Sequence, residues 1–357
     1  MGGVTIPPDP GTTMRGLVLP GGRRTEWREV AVPQPGPRQV LVRVRASSIC
    51  GSDIRAIYRE HLGHGAEAYQ GVIAGHEPAG EVVAVGEGCR RVRVGDRVAI
   101  YHIAGCGMCD QCRLGYMIGC HDPSRAAYGW QRDGGHAPYL QAEEATCIPI
   151  PDVVSFVDGA SAACSGGPAY EALLRIRAGG RDRLLVTGLG PVGLAVGLLA
   201  RAMGVRRVFG TDPSPERRAL ALRLAVVDEA WDAGDDCLAS VLDASAGGVE
   251  ASVDASGSAA GRQLAVEALR DWGRCAWVGE GGTVELTVSP LVIHKQVAIH
   301  GSWVTSLAHM AELLENLVRW DVRLESLVTD RLPLDAAPAA YRIADAGGAG
   351  KVCLVSD

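Results

Sequence analysis

A chain of 357 residues is long enough for about two domains, and 47% hydrophobic residues with 47 glycines suit a packed α/β fold rather than disorder. A formal net charge of −6 leaves no electrostatic footprint for nucleic acid or an acidic lipid surface. The N-terminus lacks the basic and apolar regions of a signal peptide and no run of about 18 apolar residues occurs, so neither secretion nor a membrane span is expected, and the cytoplasm is the expected compartment.

Residues 1–13 are rich in Pro, Gly and Thr and are expected to form a loose arm. Strands are predicted at Arg15–Leu19 and about Trp27–Val32, and the turn cluster Pro33-Gln-Pro-Gly-Pro37 leads into an alternating apolar strand at Val40–Arg45. Glu81–Gly88 and Val92–Val98 continue the pattern, which predicts a β-rich, barrel-like lobe.

The Val40–Arg45 run opens directly into Ala46-Ser-Ser-Ile-Cys-Gly-Ser-Asp-Ile54, which places a thiol, a hydroxyl and a carboxylate at Cys50, Ser52 and Asp53. His76 follows inside Gly75-His-Glu77, 26 residues after Cys50, and Cys164 stands in Ala163-Cys-Ser-Gly-Gly167. A solitary cysteine usually behaves as a small buried hydrophobe. Two thiols and an imidazole taken together are the ligand set of a catalytic zinc that keeps its fourth position open.

Cys106-Gly-Met-Cys109-Asp-Gln-Cys112, with Cys120 eight residues further on, can surround one tetrahedral ion with four thiolates. Such a closed site has no room for substrate, so its expected role is structural. An iron–sulfur cluster uses a related spacing, but the zinc-type set elsewhere favours zinc. Clustered cysteines in a long chain without a secretion signal read as metal ligands. Cys89, Cys147, Cys237, Cys275 and Cys353 stand alone and read as structural thiols.

The second half opens with an apolar strand, Arg183–Thr187, that runs into Gly188-Leu-Gly190-Pro-Val192-Gly193 and then an apolar stretch of helical character. In that pattern Gly188 allows the tight turn, Gly190 lets the backbone approach a pyrophosphate, and Gly193 lets the helix pack on the strand. The helix N-terminus then offers unpaired N–H groups to the phosphates. A second strand, Arg207–Asp212, ends in an acid 19 residues after Gly193. An acid there receives the adenosine ribose hydroxyls and repels a 2′-phosphate, which favours NAD, although Arg217 and Arg218 lie close by. Asp212 also suits a cap for the following helix.

Further β-α alternation is predicted through Val249–Asp254, a helix near Arg262–Leu269, Arg274–Val278 and Val297–Trp303. The loops around Gly257 and Val278 fall at strand C-termini, where open α/β sheets bind ligands. Thr283–Val288 alternates apolar and polar residues beside the last of these strands and reads as an exposed edge. A helix is predicted at about Leu307–Trp320.

The order Cys-Gly-Ser-Asp, Gly-His-Glu and Cys, with the four-cysteine cluster and the glycine-rich turn, resembles the zinc-dependent medium-chain alcohol dehydrogenases, particularly the sorbitol and threonine dehydrogenase branch. The resemblance runs from about Met14 to the C-terminus. It implies a GroES-like catalytic domain at 1–165 and 304–357, to which the tail Tyr341–Val355 returns, and an inserted Rossmann domain at 166–303 with a doubly wound parallel sheet. The lobe at 100–121 would hold a second, non-catalytic zinc.

By the same resemblance, Ser52 takes up the substrate proton, Asp53 fixes the His76 ring, and Glu77 stands beside the metal, free to coordinate during water exchange. Arg55, Glu60, His61, His64, His102, Tyr128 and Trp303 are the expected substrate lining, and Lys351 either reaches the cofactor phosphates or is solvated. The expected association is a homodimer or homotetramer through the sheet edge.

Three departures from the family stand out. Cys164 occupies a position where sorbitol-type members often carry a carboxylate, and Pro168 replaces a common hydroxyl residue. Arg55 replaces a relay histidine and cannot act as a base, so the proton must leave through water, a cofactor ribose hydroxyl, His61 or His64. The chain holds only two phenylalanines, Phe156 and Phe209, neither on an expected lining segment.

These features point to an enzyme that oxidises a secondary alcohol of the sugar, polyol or aminocyclitol type to its ketone, with two zinc ions and NAD. The alternatives are a biosynthetic ketone reductase using NADPH and a non-catalytic binding protein of the same fold.

Overall fold

The computed structural model describes residues 8, 9, 11–348 and 350–356, so most of the arm expected at 1–13 lies outside the described residues. It divides into two units, Met1–Cys164 with Ser306–Asp357, and Ser165–Thr305.

In the first unit, Gln39–Ile49 is buried on both faces and pairs on both edges, antiparallel with Glu77–Val85 and with Lys351–Val355. The sheet reads Val328–Pro333, Lys351–Val355, Gln39–Ile49, Glu77–Val85, Arg97–Ile100 and Cys147–Pro149, and Tyr139–Glu143 also pairs with Gln39–Ile49. Apolar clusters around Val40, Val82, Val98 and Ile100, around Leu17, Ile57, Tyr341 and Leu354, and around Met14, Leu41, Ile73 and Val83 build its core.

The strand expected at Val92–Val98 begins only at Arg97. Gly95 at φ +93° and the Asp96 carboxylate, accepting from the Arg93 N–H at 2.9 Å, turn the chain just before it.

The second unit is a parallel six-stranded sheet in the order Glu229–Trp231, Arg207–Thr211, Arg183–Thr187, Val249–Asp254, Leu269–Trp277, Ala298–Gly301. Its central strands Arg183–Thr187 and Val249–Asp254 are buried along almost their whole length, as a parallel sheet covered on both faces requires.

Thr283–Val288 does not form the expected strand. Gly281 and Gly282 take positive φ, and the segment runs without a ladder into the π-helical turn Ser289–Ile293. The edge of the sheet is therefore Ala298–Gly301. Among the described residues no helix is long and apolar enough to cross a membrane.

Candidate metal and cofactor sites

Four side chains of the first unit, Cys50, His76, Glu77 and Cys164, converge so that one ligand atom from each lies within 4.8 Å of all the others. Local structure delivers each of them. Cys50 sits in extended conformation at the end of the central strand and caps the first helical turn, Gly51–Asp53. His76 and Glu77, the latter opening the neighbouring strand, follow Gly75, whose φ is +92° and whose Cβ, if it had one, would stand 2.3 Å from the His136 ring. Only glycine satisfies both constraints. Cys164 lies in the π-helical turn Ala162–Gly166. Pro168 starts the following helix in its first turn, where a missing N–H costs nothing.

Asp53 is fully buried and does two jobs. One carboxylate oxygen accepts from the Cys50 N–H at 2.9 Å and the other from His76 Nδ1 at 2.8 Å. That bond fixes the tautomer, so His76 presents Nε2 as its ligand atom. The sulfurs of Cys50 and Cys164 are 3.6 Å apart, close to the edge of about 3.8 Å in a tetrahedral zinc site with bonds near 2.3 Å. The hydrogen bond from Cys164 holds the Cys50 thiol well below its usual range against the opposing effect of burial. The donor set and spacing fit zinc.

Ser52 stands half-buried in the turn between Cys50 and Asp53. Burial pushes the Glu77 carboxyl up to about 7 against the pull of Lys351. Lys351 is neither solvated nor directed to phosphates. It is 2% exposed and its ammonium donates to Glu77 Oε1 at 2.5 Å. Nothing in a lone lysine at the start of an apolar strand signals that position. It follows from the sheet register.

The expected lining divides. His102 is buried with its ring 5.2 Å from that of His76, and its Nδ1 donates to the Ala163 carbonyl at 3.2 Å. Burial lowers its pKa to about 3, so the ring is neutral. Tyr128 leaves the lining: it is fully buried, its hydroxyl bonds Thr146 Oγ1 and the Glu143 N–H, and Arg132 stacks on its ring. His61 is turned back, with Nε2 donating to the Leu19 carbonyl at 2.8 Å and its ring edge-on to Tyr69. Arg55, Glu60 and His64 are exposed. Trp303 belongs to the second unit and is 54% exposed. Trp130, which no sequence pattern marks, stands edge-on to His76 at 6.5 Å and donates from Nε1 to the Glu67 carbonyl.

The second cluster of the same unit gathers Cys106, Cys109, Cys112 and Cys120, again within 4.8 Å of one another. Cys106 and Cys112 sulfurs are 3.9 Å apart, again near the zinc spacing. Backbone N–H groups of Met108 and Cys109 point at the Cys106 sulfur, and that of Cys106 at the Cys120 sulfur, each at 3.4 Å. The Met108 and Cys109 donors pull the Cys106 thiol down to about 7.

In the second unit the glycine-rich turn has the expected form. Gly188 takes φ +88°, and a Cβ on Gly193 would stand 1.8 Å from the Gly188 carbonyl oxygen. Pro191–Ala202 follows as a helix capped by Gly190, with Val192 in its first turn. Asp212 is buried at the end of its strand, and its carboxylate accepts from the Leu189 and Ser214 N–H groups at 2.8 and 2.9 Å and pairs with Arg217 at 3.6 Å. Gly257 packs against the Glu280 carbonyl, where a Cβ would come within 2.3 Å, and Val278 donates its N–H to the Asp254 carbonyl.

The family model of the alcohol dehydrogenase GroES-like domain matches residues 36–152, and that of the zinc-binding dehydrogenases matches 191–319. The chain is 46% identical, over 96% of its length and 98% of the relative, to the uncharacterized zinc-type alcohol dehydrogenase-like protein YphC of Escherichia coli. It is 29% identical to an L-threonine 3-dehydrogenase of Rhizobium etli, over 96% of this chain and 98% of that one. Among solved structures, the alcohol dehydrogenase TADH from Thermus sp. ATN1 superposes with a TM-score of 0.86 at 28% identity, covering 96% of this chain and 99% of that one.

Proposed function

The chain belongs to the zinc-dependent medium-chain alcohol dehydrogenases, which use zinc and NAD(P), and from that premise we propose that it oxidises a polar secondary alcohol to its ketone with NAD as hydride acceptor. Cys50, His76 and Cys164 would hold the catalytic zinc, which when bound polarises an alcohol oxygen and eases its deprotonation. Ser52 would take up the proton, and Asp53 keeps the His76 ring in place. Arg55 cannot carry the proton onward.

The observation that carries the polar preference is the orientation of His102. Its Nδ1 is committed to a carbonyl, so it must donate there, and Nε2 remains as a lone-pair acceptor on a ring beside His76. An acceptor in that place rewards a substrate with a second hydroxyl or an ammonium near the carbinol, and an alkyl group in its stead leaves the acceptor unpaired. The threonine dehydrogenase relatives act, by name, on such an alcohol. NAD is favoured by the buried Asp212 carboxylate, which also holds Arg217.

Steady-state rates across alcohols test this reading. The highest kcat/KM is expected among polyols, cyclitols and hydroxy amino acids with NAD, and a higher value for ethanol or butanol than for all of them would overturn it. The exposed edge Ala298–Gly301 supports pairing of two copies through that strand, and a monomer in light scattering at micromolar concentration would contradict that part.

A further inference from the structure

Strand pairing brings two residues 274 positions apart into one buried ion pair beside the open metal site. Lys351–Val355 runs antiparallel to the central strand with Val352 opposite Ile49, so Lys351 lies beside the chain that leads into Cys50. Glu77 stands opposite Ser48 on the other edge of the same strand. Both side chains are buried, and Lys351 Nζ donates to Glu77 Oε1 at 2.5 Å.

The carboxylate is not otherwise restrained. Its Oε1 is 3.9 Å from His76 Nε2, its Oε2 has no hydrogen-bond partner, and it lies within reach of the ligand atoms of Cys50, His76 and Cys164. A divalent ion draws in any free carboxylate oxygen at such a range. Two thiolates already neutralise the ion, and an adjacent carboxylate would leave an excess negative charge in a buried site. Lys351 is the positive side chain that meets it.

We infer that Lys351 is a positioning residue that holds the Glu77 carboxylate off the metal and so keeps the fourth position open to substrate. Without that ammonium, Glu77 becomes the fourth protein ligand and the site closes. The inference rests on the assignment of Cys50, His76 and Cys164 as zinc ligands. It does not depend on which alcohol is used, because its main readout involves no substrate.

A lysine that merely stabilised a buried carboxylate would also weaken the fold on removal, so the test reads the metal. In Lys351→Met, zinc should leave the open site at least about tenfold more slowly under a chelator, and kcat should fall about 10–100-fold at unchanged KM for NAD. The cobalt-substituted variant should show shifted d–d absorption, and adding Glu77→Gln should return both the spectrum and the metal-loss rate towards wild type. Lys351→Arg, which retains the charge, should keep kcat close to wild type.

Zinc loss that is unchanged or faster in Lys351→Met overturns the inference. So does an unshifted cobalt spectrum, or a raised KM for NAD with kcat intact, which would return Lys351 to the cofactor. If Lys351→Met does not fold, Lys351→Gln removes the charge while keeping a polar side chain and carries the same expectations.

Discussion

The first unit holds two four-ligand clusters, each with its ligand atoms within 4.8 Å of one another, that differ in almost everything else. The four-cysteine cluster takes all its ligands from a span of 15 residues, and the polar groups that steady its sulfurs are backbone N–H groups of the same loop. The other cluster draws on Cys50, His76, Glu77 and Cys164 from three separate segments. Its supports are side chains that arrive from elsewhere: Asp53 behind His76, Lys351 against Glu77.

A closed set of four thiolates supported by its own backbone can only organise the chain, because nothing around it is free to change. Three ligands and one restrained carboxylate, positioned by elements that fold for their own reasons, can exchange a bound group without unfolding.

The largest expected effects separate the two clusters by what is lost. Two zinc ions per chain are expected, and Cys50→Ser or Cys164→Ser should lower kcat/KM by more than about 10³-fold while the thermal midpoint stays close to wild type. Cys109→Ser should instead lower the midpoint by about 5 °C or more, since a large domain loses roughly 2–4 °C per kcal/mol and metal binding in such a loop is folding free energy. In the same series Asp53→Asn should cost about 10–100-fold in activity, because it removes the partner that orients a ligand and leaves the ligand itself. Metal analysis, activity and melting curves on one set of preparations would check all three. One zinc or none in wild-type protein, or a Cys50→Ser chain that melts like Cys109→Ser, would erase the distinction.

The same contrast explains what could be read before the fold was known. Residues whose role is set by neighbours in sequence were legible: the thiols at spacings of three, Gly188 and Gly193 around their turn, and the Cys50–Asp53 turn that ends a strand. Residues whose role is set by strand register were not. Lys351 looks like a solvated lysine until Lys351–Val355 docks beside Gln39–Ile49. Tyr128 looks available to substrate until Thr146 and Glu143 claim its hydroxyl. Thr283–Val288 has the alternation of an edge strand, but the two glycines before it direct the chain away from the ladder. Trp130 carries no pattern at all, and only its position edge-on to His76 gives it significance.

The smallest expected effect extends the contrast to the second unit, where none of the metal-type clusters among the described residues occurs. There the comparable fastening is a carboxylate. Glu250 accepts from the backbone and guanidinium of Arg183, at 2.8 and 2.6 Å, and from Arg270 at 2.9 Å. Burial opposes its ionisation, but these donors hold its pKa down to about 2. A carboxylate with a depressed pKa stabilises the folded state above its unfolded value of about 4.3, and that contribution disappears as pH falls from there towards the folded value.

Glu250 is partly exposed, so solvent screening reduces the effect to about 1 kcal/mol. Glu250→Gln should therefore lower the protection of Arg183–Thr187 and Val249–Asp254 against hydrogen exchange by about fivefold, a constant gap between pH 7 and about 5. Below that the gap should close, because the carboxylate of the unfolded wild-type chain then takes up a proton that the folded state still excludes. The four-cysteine lobe, with its expected zinc, should behave otherwise, since protons compete with an ion for thiolates at much higher pH. Its protection should begin to fall while the Glu250 gap is still flat. A gap that is absent at pH 7, or that fails to close between about pH 5 and pH 2, would mean that the carboxylate is not held down by its arginines, and that the second unit depends on some other fastening.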